Sequence, residues 1–239
     1  RLRACARPLL VCLPDPTSRR RSPVTRRFIL ECRIVDADDR SLPRDPQTLL
    51  AQARARWGGR GDLWVFGYAS LIWRPEFEAA EQRPAVVHGW HRALRMRSRV
   101  NRGTPHCPGL VFALVRGGSC RGIVYRVPRE RVDAELVRLW EREMPTGVYD
   151  PRWLPCRTPH GGVHALAFTL DRLSPSYTGV LGDDELLAIL RDACGRYGTT
   201  LGYLLETARC LRERGIRDHE VERLVALARR HALHGAPSP

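Results

Sequence analysis

The glutamate at position 143 lies on the apolar face of a predicted helix, where a charged side chain is unusual. Residues 129–144 repeat their apolar side chains at helical spacing. At about 100° per residue, one apolar stripe forms, made of Val132, Leu136, Leu139 and Trp140. Glu143 falls in the middle of that stripe, whereas Glu141 and Arg142 fall outside it and are predicted to be ordinary solvated charges.

A carboxyl group directed at an apolar core is destabilising unless it is paired or functional. Loss of water raises its pKa towards the range that suits general acid–base catalysis. Periodicity alone leaves two interpretations open. Glu143 is either a catalytic carboxyl or a carboxyl at the helix end that reaches water or an arginine.

A turn of small residues could supply a second piece of chemistry. The apolar run at 63–67 is typical of a strand, and Tyr68, Ala69, Ser70 and Leu71 follow it. Small side chains leave backbone N–H groups accessible, and such groups bind a carboxylate or a developing oxyanion. The turn by itself is a weak signal, because most such turns are only turns.

The elements that must position these residues indicate an α+β fold around a curved or barrel-like sheet. Strands are predicted at 63–67, 85–88, 110–115, 122–127 and 162–170, with Gly117-Gly118 as a hairpin turn between the third and fourth. Besides 129–144, helices are predicted at 46–57, 184–197, 201–215 and 218–233. Asp45 and Asp218 are predicted N-caps, and Gly215 a C-cap.

A glycine-rich break at 58–61 is the predicted domain boundary. Residues 1–60 are interpreted as a basic, partly disordered N-terminal extension, in which 1–25 are poorly ordered and 28–35 form one strand. Residues 61–239 are interpreted as the catalytic domain.

Charge is concentrated near the start of the chain. All 40 basic residues are arginine and the net charge is +14, of which the first 60 residues, with 14 Arg against 6 Asp and Glu, carry more than half. The absence of lysine indicates a GC-rich coding bias. An arginine-rich module for nucleic acid, with residues 19–27 as its contact, stays a disfavoured alternative, and no specific nucleic-acid partner is expected.

Other classes are disfavoured by composition. The 43% hydrophobic content suits a globular core, and no apolar stretch is long enough to span a membrane, so no membrane association is expected. The eight cysteines include no Cys-x-x-Cys pair, which favours reduced thiols in a cytoplasmic protein. His88 and His91 lack nearby carboxylate or thiol partners, so neither a metal site nor a cofactor is predicted.

Taken together, the motifs resemble the ChaC-type glutathione-specific γ-glutamylcyclotransferases. The matching segments hold their order and spacing from about residue 62 to residue 230: Gly67-Tyr68-Ala69-Ser70-Leu71-Ile72-Trp73, Asn101-Arg102-Gly103, Pro108-Gly109-Leu110, 122–126, Arg142-Glu143-Met144 with Gly147 and Tyr149, Tyr177 with Gly179, and 202–207. The combination is specific, although no single piece is.

The resemblance implies a small mixed β-barrel with flanking helices and a helical C-terminal part, working without a metal or organic cofactor. It implies cleavage of glutathione to 5-oxoproline and cysteinylglycine. Glu143 matches the family's catalytic glutamate, the Tyr68-Ala69-Ser70-Leu71 turn its substrate-binding loop, and Tyr203 a tyrosine of its pocket. Arg102, from its charge and position, is a candidate contact for the glycine carboxylate.

Two departures from the family pattern bear on these expectations. Ala69 stands where the family usually has glycine, and a positive φ there would strain the turn. Thr200 stands near a position where relatives often have asparagine. The alternatives are an enzyme for other γ-glutamyl amines or peptides, and a non-catalytic protein that binds them or, through its basic arm, an acidic partner.

Overall fold

The computed structural model describes residues 44–233, and the predictions for residues 1–25 and 28–35 lie outside that range. Its helices are α1 Pro46–Trp57, α2 Ser70–Trp73, α3 Val132–Glu143, α4 Asp183–Asp192, α5 Thr200–Glu213 and α6 His219–Arg230, with a 3₁₀ turn at Arg129–Arg131. Its strands are β1 Leu63–Gly67, β2 Glu81–Ser98, β3 Gly109–Val127, β4 Asp150–Thr158, β5 Gly161–Thr169, β6 Cys194–Gly195 and β7 Gly198–Thr199.

Five of these strands form a closed barrel in the order β1-β3-β2-β4-β5. Neighbours are antiparallel except where β5 runs parallel to β1 and closes the barrel. Helices flank the barrel, and α4 to α6 make up the C-terminal part. The predicted α+β fold, a small mixed β-barrel with a helical C-terminal part, is confirmed.

The prediction of a hairpin turn at Gly117-Gly118 is wrong. β3 continues through both glycines and pairs with β2 along its length. His88 faces Ser119 and Trp90 faces Arg116, so the two glycines stand opposite Gly89 alone. This is a β-bulge, which needs backbone freedom, and all three glycines have positive φ. Glycine permits a bulge and a turn equally, so the sequence pattern predicts a turn here. For the same reason the predicted second strand, 85–88, ends just before Gly89.

Strand β4 was not predicted, because Pro151 and Pro155 argue against a strand. β4 pairs with β5 throughout but with β2 at only two positions, Arg157 and Cys156. Its prolines therefore lie where one edge has no ladder partner, and a missing N–H is tolerated there. The helix predicted over 184–197 also ends early, at Asp192, and the β6–β7 hairpin replaces its last turn.

Helix α1 forms as its capping residues predict. The Asp45 side chain accepts from the N–H groups of Gln47 and Thr48, and Gly58 ends the helix with a φ of 68°. The helix packs against α3 through buried Leu50 and Ala53. α1 lies on the N-terminal side of the predicted boundary at 58–61, and that boundary stays a prediction.

The late helices begin as their caps predict. The Asp218 side chain accepts from the Val221 N–H at 3.1 Å and begins α6. Gly215, just beyond α5, has a φ of 66°. Among residues 44–233, no helix combines the length and the apolar character that crossing a membrane requires.

Candidate active site

A cavity of about 460 Å³ opens at one end of the barrel, within the size range of ordinary small-molecule sites. Its wall combines the β1–α2 turn, the loop after β2, the C-terminal end of α3, the β6–β7 hairpin and α5. All seven residues singled out from the sequence line it: Tyr68, Ala69, Ser70, Leu71, Arg102, Glu143 and Tyr203. The fold thus brings together side chains separated by up to 135 positions.

Glu143 is the last residue of α3, and its side chain is 14% exposed. The apolar stripe predicted for this helix is buried, which directs the carboxyl into the cavity. Burial raises the pKa of Glu143 above its ordinary value, while the adjoining Arg142 guanidinium opposes that rise and the Glu76 carboxylate adds to it.

Arg142 lines the cavity, although it was not among the predicted site residues. The prediction that it is an ordinary solvated charge is wrong. Its side chain is mostly buried, and its Nε donates to Glu143 Oε1 at 2.9 Å. Its Nη1 donates to Glu76 Oε2 at 2.8 Å and to the Arg74 carbonyl. Helical periodicity gives the angle at which the Arg142 side chain leaves the helix. It does not show how far that long side chain extends or that it lines the cavity.

Three tyrosines surround the same end of the cavity. The Tyr68 hydroxyl donates to the Phe168 carbonyl at 3.0 Å, and the Tyr203 hydroxyl accepts from the Phe112 N–H at 3.3 Å. Tyr149, which was not among the predicted site residues, donates to the Phe112 carbonyl at 3.4 Å. Burial raises the pKa of all three phenols, and the Glu143 charge raises each of them further. The phenols therefore stay neutral at physiological pH.

Two side chains from other strands hold the first and last carbonyl groups of the turn after β1. The buried Arg92 Nε donates to the Tyr68 carbonyl, and the Tyr125 hydroxyl donates to the Leu71 carbonyl at 3.0 Å. Ser70 begins the one-turn helix α2, whose first N–H groups have no acceptor within the helix. The carbonyls at the two ends of the turn are therefore fixed, and the Ile72 N–H donates to the Ala69 carbonyl at 2.8 Å.

Ala69 adopts a φ of −142°, so the turn does not need the left-handed conformation for which glycine would be required. Alanine in place of the family's glycine therefore does not strain the turn through its handedness.

Arg102 is buried, and its guanidinium lies over the Tyr203 ring, 5.0 Å from the ring centre. Its Nη1 donates to the Tyr197 carbonyl. Thr200, the other departure from the family pattern, accepts from the Leu110 N–H at 3.1 Å and donates to the Arg102 carbonyl at 3.2 Å. Thr200 thus ties the loop that carries Arg102 to β3 and α5.

Within residues 44–233, no group of three or more His, Cys, Asp or Glu side chains is placed to hold a metal ion. The chemistry that the cavity supports is proton transfer by a carboxyl of raised pKa, beside neutral phenol and backbone N–H donors.

A family model and two curated relatives agree on the family to which this chain is similar. Residues 63–231 match the family model described as ChaC-like protein. The glutathione-specific gamma-glutamylcyclotransferase of Escherichia coli is 36% identical over 178 residues, covering 74% of this chain and 77% of that protein. The mouse glutathione-specific gamma-glutamylcyclotransferase 1 is 35% identical over 167 residues, covering 66% of this chain and 74% of that protein.

A solved structure also has this fold. The crystal structure of a yeast gamma-glutamyl cyclotransferase specific to glutathione superposes with a TM-score of 0.64 at 19% identity, covering 72% of this chain and 97% of that one.

Proposed function

The chain belongs to the ChaC-like protein family, and from that premise we propose that it is a glutathione-specific γ-glutamylcyclotransferase. The reaction converts glutathione to 5-oxoproline and cysteinylglycine. The observation that carries the proposal is the burial of Glu143 in the wall of the cavity that the Tyr68–Leu71 turn also lines. The names of the E. coli and mouse relatives support glutathione as the substrate.

Ring closure is the step that the cavity must promote. The α-amine of the γ-glutamyl group attacks the γ-carbonyl carbon of the same residue, and a five-membered lactam forms. Because the reaction is intramolecular, binding has mainly to fold the substrate into an attack-ready conformation. A cavity of about 460 Å³ whose walls include the buried rings of Tyr68, Tyr149 and Tyr203 suits that task.

Glu143 serves as the base and then as the acid. The ammonium first gives one proton through the Glu143 carboxylate to solvent, and the free amine then attacks. The carboxylate takes the second proton from the same nitrogen as the lactam forms, and the resulting carboxylic acid gives it to the cysteinyl nitrogen as the C–N bond breaks. A carboxyl whose pKa is raised by burial performs both transfers near neutral pH. General acid–base catalysis of this kind contributes about 10²-fold to 10⁴-fold.

The turn at 69–71 stabilises the oxyanion that develops on the γ-carbonyl oxygen. Its free backbone N–H groups are the donors, and the bonds from Arg92 and Tyr125 keep them in place. Tyr203 and Arg102 line the part of the cavity that receives the rest of the peptide. The neutral phenol of Tyr203 accepts from the Phe112 N–H, so its O–H is left to donate to the substrate, whereas the Tyr68 hydroxyl already donates to the Phe168 carbonyl.

The test is release of cysteinylglycine from glutathione by the full chain and by Glu143→Gln. We expect the substitution to lower kcat by about 10²-fold or more, because the amide cannot accept the ammonium proton. Asp133→Asn is the matched control, since it removes an exposed carboxylate of the same helix and is expected to leave kcat unchanged.

Equal activity of the wild type and a folded Glu143→Gln variant contradicts the role of Glu143. A wild type that leaves glutathione intact but cyclises γ-glutamylamines replaces the substrate and keeps the reaction. Binding of glutathione without turnover by the wild type contradicts the enzymatic assignment.

A further inference from the structure

The β6–β7 hairpin reaches the mouth of the cavity, and its backbone is fixed there. The Arg196 N–H donates to the Val100 carbonyl at 2.8 Å, and the Tyr197 N–H donates to the Asn101 carbonyl at 2.9 Å. Gly195 lies so close to the loop after β2 that a Cβ there would stand 2.4 Å from the Gly103 nitrogen. The two residues at the tip are therefore held in position before any ligand arrives.

The tip carries a tyrosine ring flanked by two guanidinium groups. Arg196 Cζ lies 5.4 Å and Arg74 Cζ 5.7 Å from the centre of the Tyr197 ring. Tyr197 is 45% exposed although it lines the cavity. Such a ring holds the guanidinium groups in orientation and offers an apolar face to a ligand.

One of these two guanidinium groups has a partner and the other does not. Arg74 Nε pairs with Glu76 Oε1 at 2.5 Å. Arg196 has no carboxylate partner within residues 44–233, although it lines the cavity. Its donors are therefore available to an anion at the mouth.

The charged side chains of the cavity wall leave an excess of positive charge, with six arginines against three glutamates. Arg142 pairs with Glu143, and the carboxylate of Glu76 is shared between Arg74 and Arg142. The remaining arginines come from the end of β2, the loop after it and the hairpin, and none pairs with a carboxylate within residues 44–233: Arg97, Arg99, Arg102 and Arg196.

A γ-glutamyl tripeptide fits this excess of positive charge. Its reacting α-amine must reach Glu143, and the remaining two residues extend by roughly 7 Å at about 3.5 Å per residue. Its terminal carboxylate thus lies at the end of the molecule away from the reacting atoms, where an arginine without a carboxylate partner can bind it. A simple γ-glutamylamine has no such carboxylate.

We propose that the hairpin tip, Arg196 with Tyr197, is the subsite that binds the C-terminal carboxylate of the γ-glutamyl peptide. This proposal rests on the proposed function and identifies the feature that would favour a tripeptide over a γ-glutamylamine. Arg102, the candidate for this contact from the sequence, becomes a supporting residue in this proposal, because its Nη1 already donates to the Tyr197 carbonyl while its charge adds to the wall.

The experiment compares two substrates on two enzymes. Glutathione and its glycine monoethyl ester differ in the terminal carboxylate, and wild type and Arg196→Gln differ in the proposed partner. We expect wild type to prefer glutathione in kcat/KM by about tenfold or more, as a charge-assisted hydrogen bond provides. Arg196→Gln is expected to lose most of that preference through KM with glutathione, while its kcat/KM with the ester stays unchanged.

Two further variants keep the comparison specific. Arg196→Lys retains the charge and is expected to keep part of the preference. Arg191→Gln removes the same charge from an exposed arginine of α4 that lies outside the cavity, and it is expected to behave as wild type.

An equal loss of kcat/KM on both substrates in Arg196→Gln, or no loss on either, overturns the proposal. If no variant turns over any substrate, the proposed function fails, and the subsite is still tested by binding. Calorimetric titration of glutathione into Glu143→Gln, with and without Arg196→Gln, must then show weaker binding in the double variant; equal binding overturns the subsite as well.

Discussion

At the scale of single residues, the site depends on two opposing influences on one carboxyl. Burial raises the pKa of Glu143, and the Arg142 guanidinium at 2.9 Å holds the rise in check. Burial favours the neutral carboxylic acid, and the guanidinium favours the carboxylate that can accept the substrate's proton. Helical periodicity identifies Glu143, whereas only the structure shows the Arg142 contact that lowers the pKa of its carboxyl.

Removing the Arg142 charge should move the acidic limb of the pH profile. Arg142 lowers the pKa of Glu143, so Arg142→Gln leaves burial and Glu76 to raise it further. The base form of Glu143 then appears only at higher pH, and the acidic limb of kcat/KM shifts upward. Tyr68, Tyr149 and Tyr203 do not titrate in that range, because burial raises their pKa values.

Arg142→Lys retains the charge, and its acidic limb is expected to lie between those of the wild type and Arg142→Gln. The measurement is kcat/KM for glutathione from about pH 5 to pH 9. Limbs that coincide in all three proteins would show that Arg142 has only a structural role.

The Glu143 carboxylate should also weaken the fold at neutral pH. Its pKa is higher in the folded chain than in the unfolded chain, so the folded chain binds more protons between the two values. The free energy of unfolding therefore falls as the pH rises from the unfolded pKa through the folded pKa. Glu143→Gln removes the ionisation and is expected to be more stable than wild type at pH 7.5, with the advantage disappearing below about pH 4.

Urea unfolding at the two pH values measures this difference. Lower stability of Glu143→Gln at pH 7.5 would mean that the hydrogen bond from Arg142 outweighs the cost of burying the charge. Higher stability together with lost turnover is the pattern of a functional group held in an unfavourable place.

At the scale of elements, one ion pair connects the substrate turn to a distant helix. Arg92 on β2 has a fully buried side chain that donates to the Tyr68 carbonyl, to the Arg121 carbonyl and to Asp218 Oδ2. Asp218 also caps α6 through the Val221 N–H. The turn proposed to bind substrate is therefore held by the same arginine that contacts the start of α6.

Asp218→Asn should separate these two roles. Asparagine caps a helix about as well as aspartate, so α6 keeps its start, while Arg92 loses the carboxylate. A buried charge left without its partner costs about 3 kcal/mol of unfolding free energy. We also expect a higher KM for glutathione, because the Arg92 side chain no longer holds the Tyr68 carbonyl in one place.

Asp45→Asn is the matched control, because Asp45 caps α1 from an exposed position. It is expected to change the unfolding free energy by less than about 1 kcal/mol. Chemical denaturation of both variants decides the matter, and equal effects would mean that the Arg92 pair contributes no more than a helix cap.

The elements differ in how far sequence could predict them. Helix α3 and the place of Glu143 follow from periodicity, since one apolar stripe allows one orientation. The bulge at Gly89, Gly117 and Gly118 does not, because glycine permits a turn and a bulge equally and only the β2–β3 pairing decides. Tyr149 and Arg142 join the site through contacts across the barrel end, which no local pattern records.

At the scale of the whole molecule, helix α1 links the start of the described chain to the helix that carries Glu143. The Trp140 Nε1–H of α3 donates to the Pro46 carbonyl at 2.8 Å, and Leu50 is buried. The Arg44 side chain donates to Asp150 and to the Gly147 carbonyl, beside the cavity. These contacts cross the predicted boundary at 58–61.

Leu50→Ala therefore tests whether α1 belongs to the catalytic unit. If it does, the lost packing lowers the free energy of unfolding by about 2–5 kcal/mol in a single transition. Gln52→Ala, an exposed change on the same helix, is the control and is expected to have almost no effect. Unaltered stability of Leu50→Ala would support a separate extension up to residue 60.

The order in which the cavity is assembled has a consequence for the newly made chain. The first lining residue is Tyr68 and the last is Tyr203, and β1 closes the barrel against β5, about 100 residues later. At roughly 5–20 residues per second, a ribosome needs about 7–27 s to pass from one to the other. During that time the nascent chain has first the turn and then both the turn and the helix of Glu143, but it lacks the wall that α5 supplies. Polypeptides that end before α5 thus lack Tyr203, and the cavity wall becomes complete only after α5 has been made.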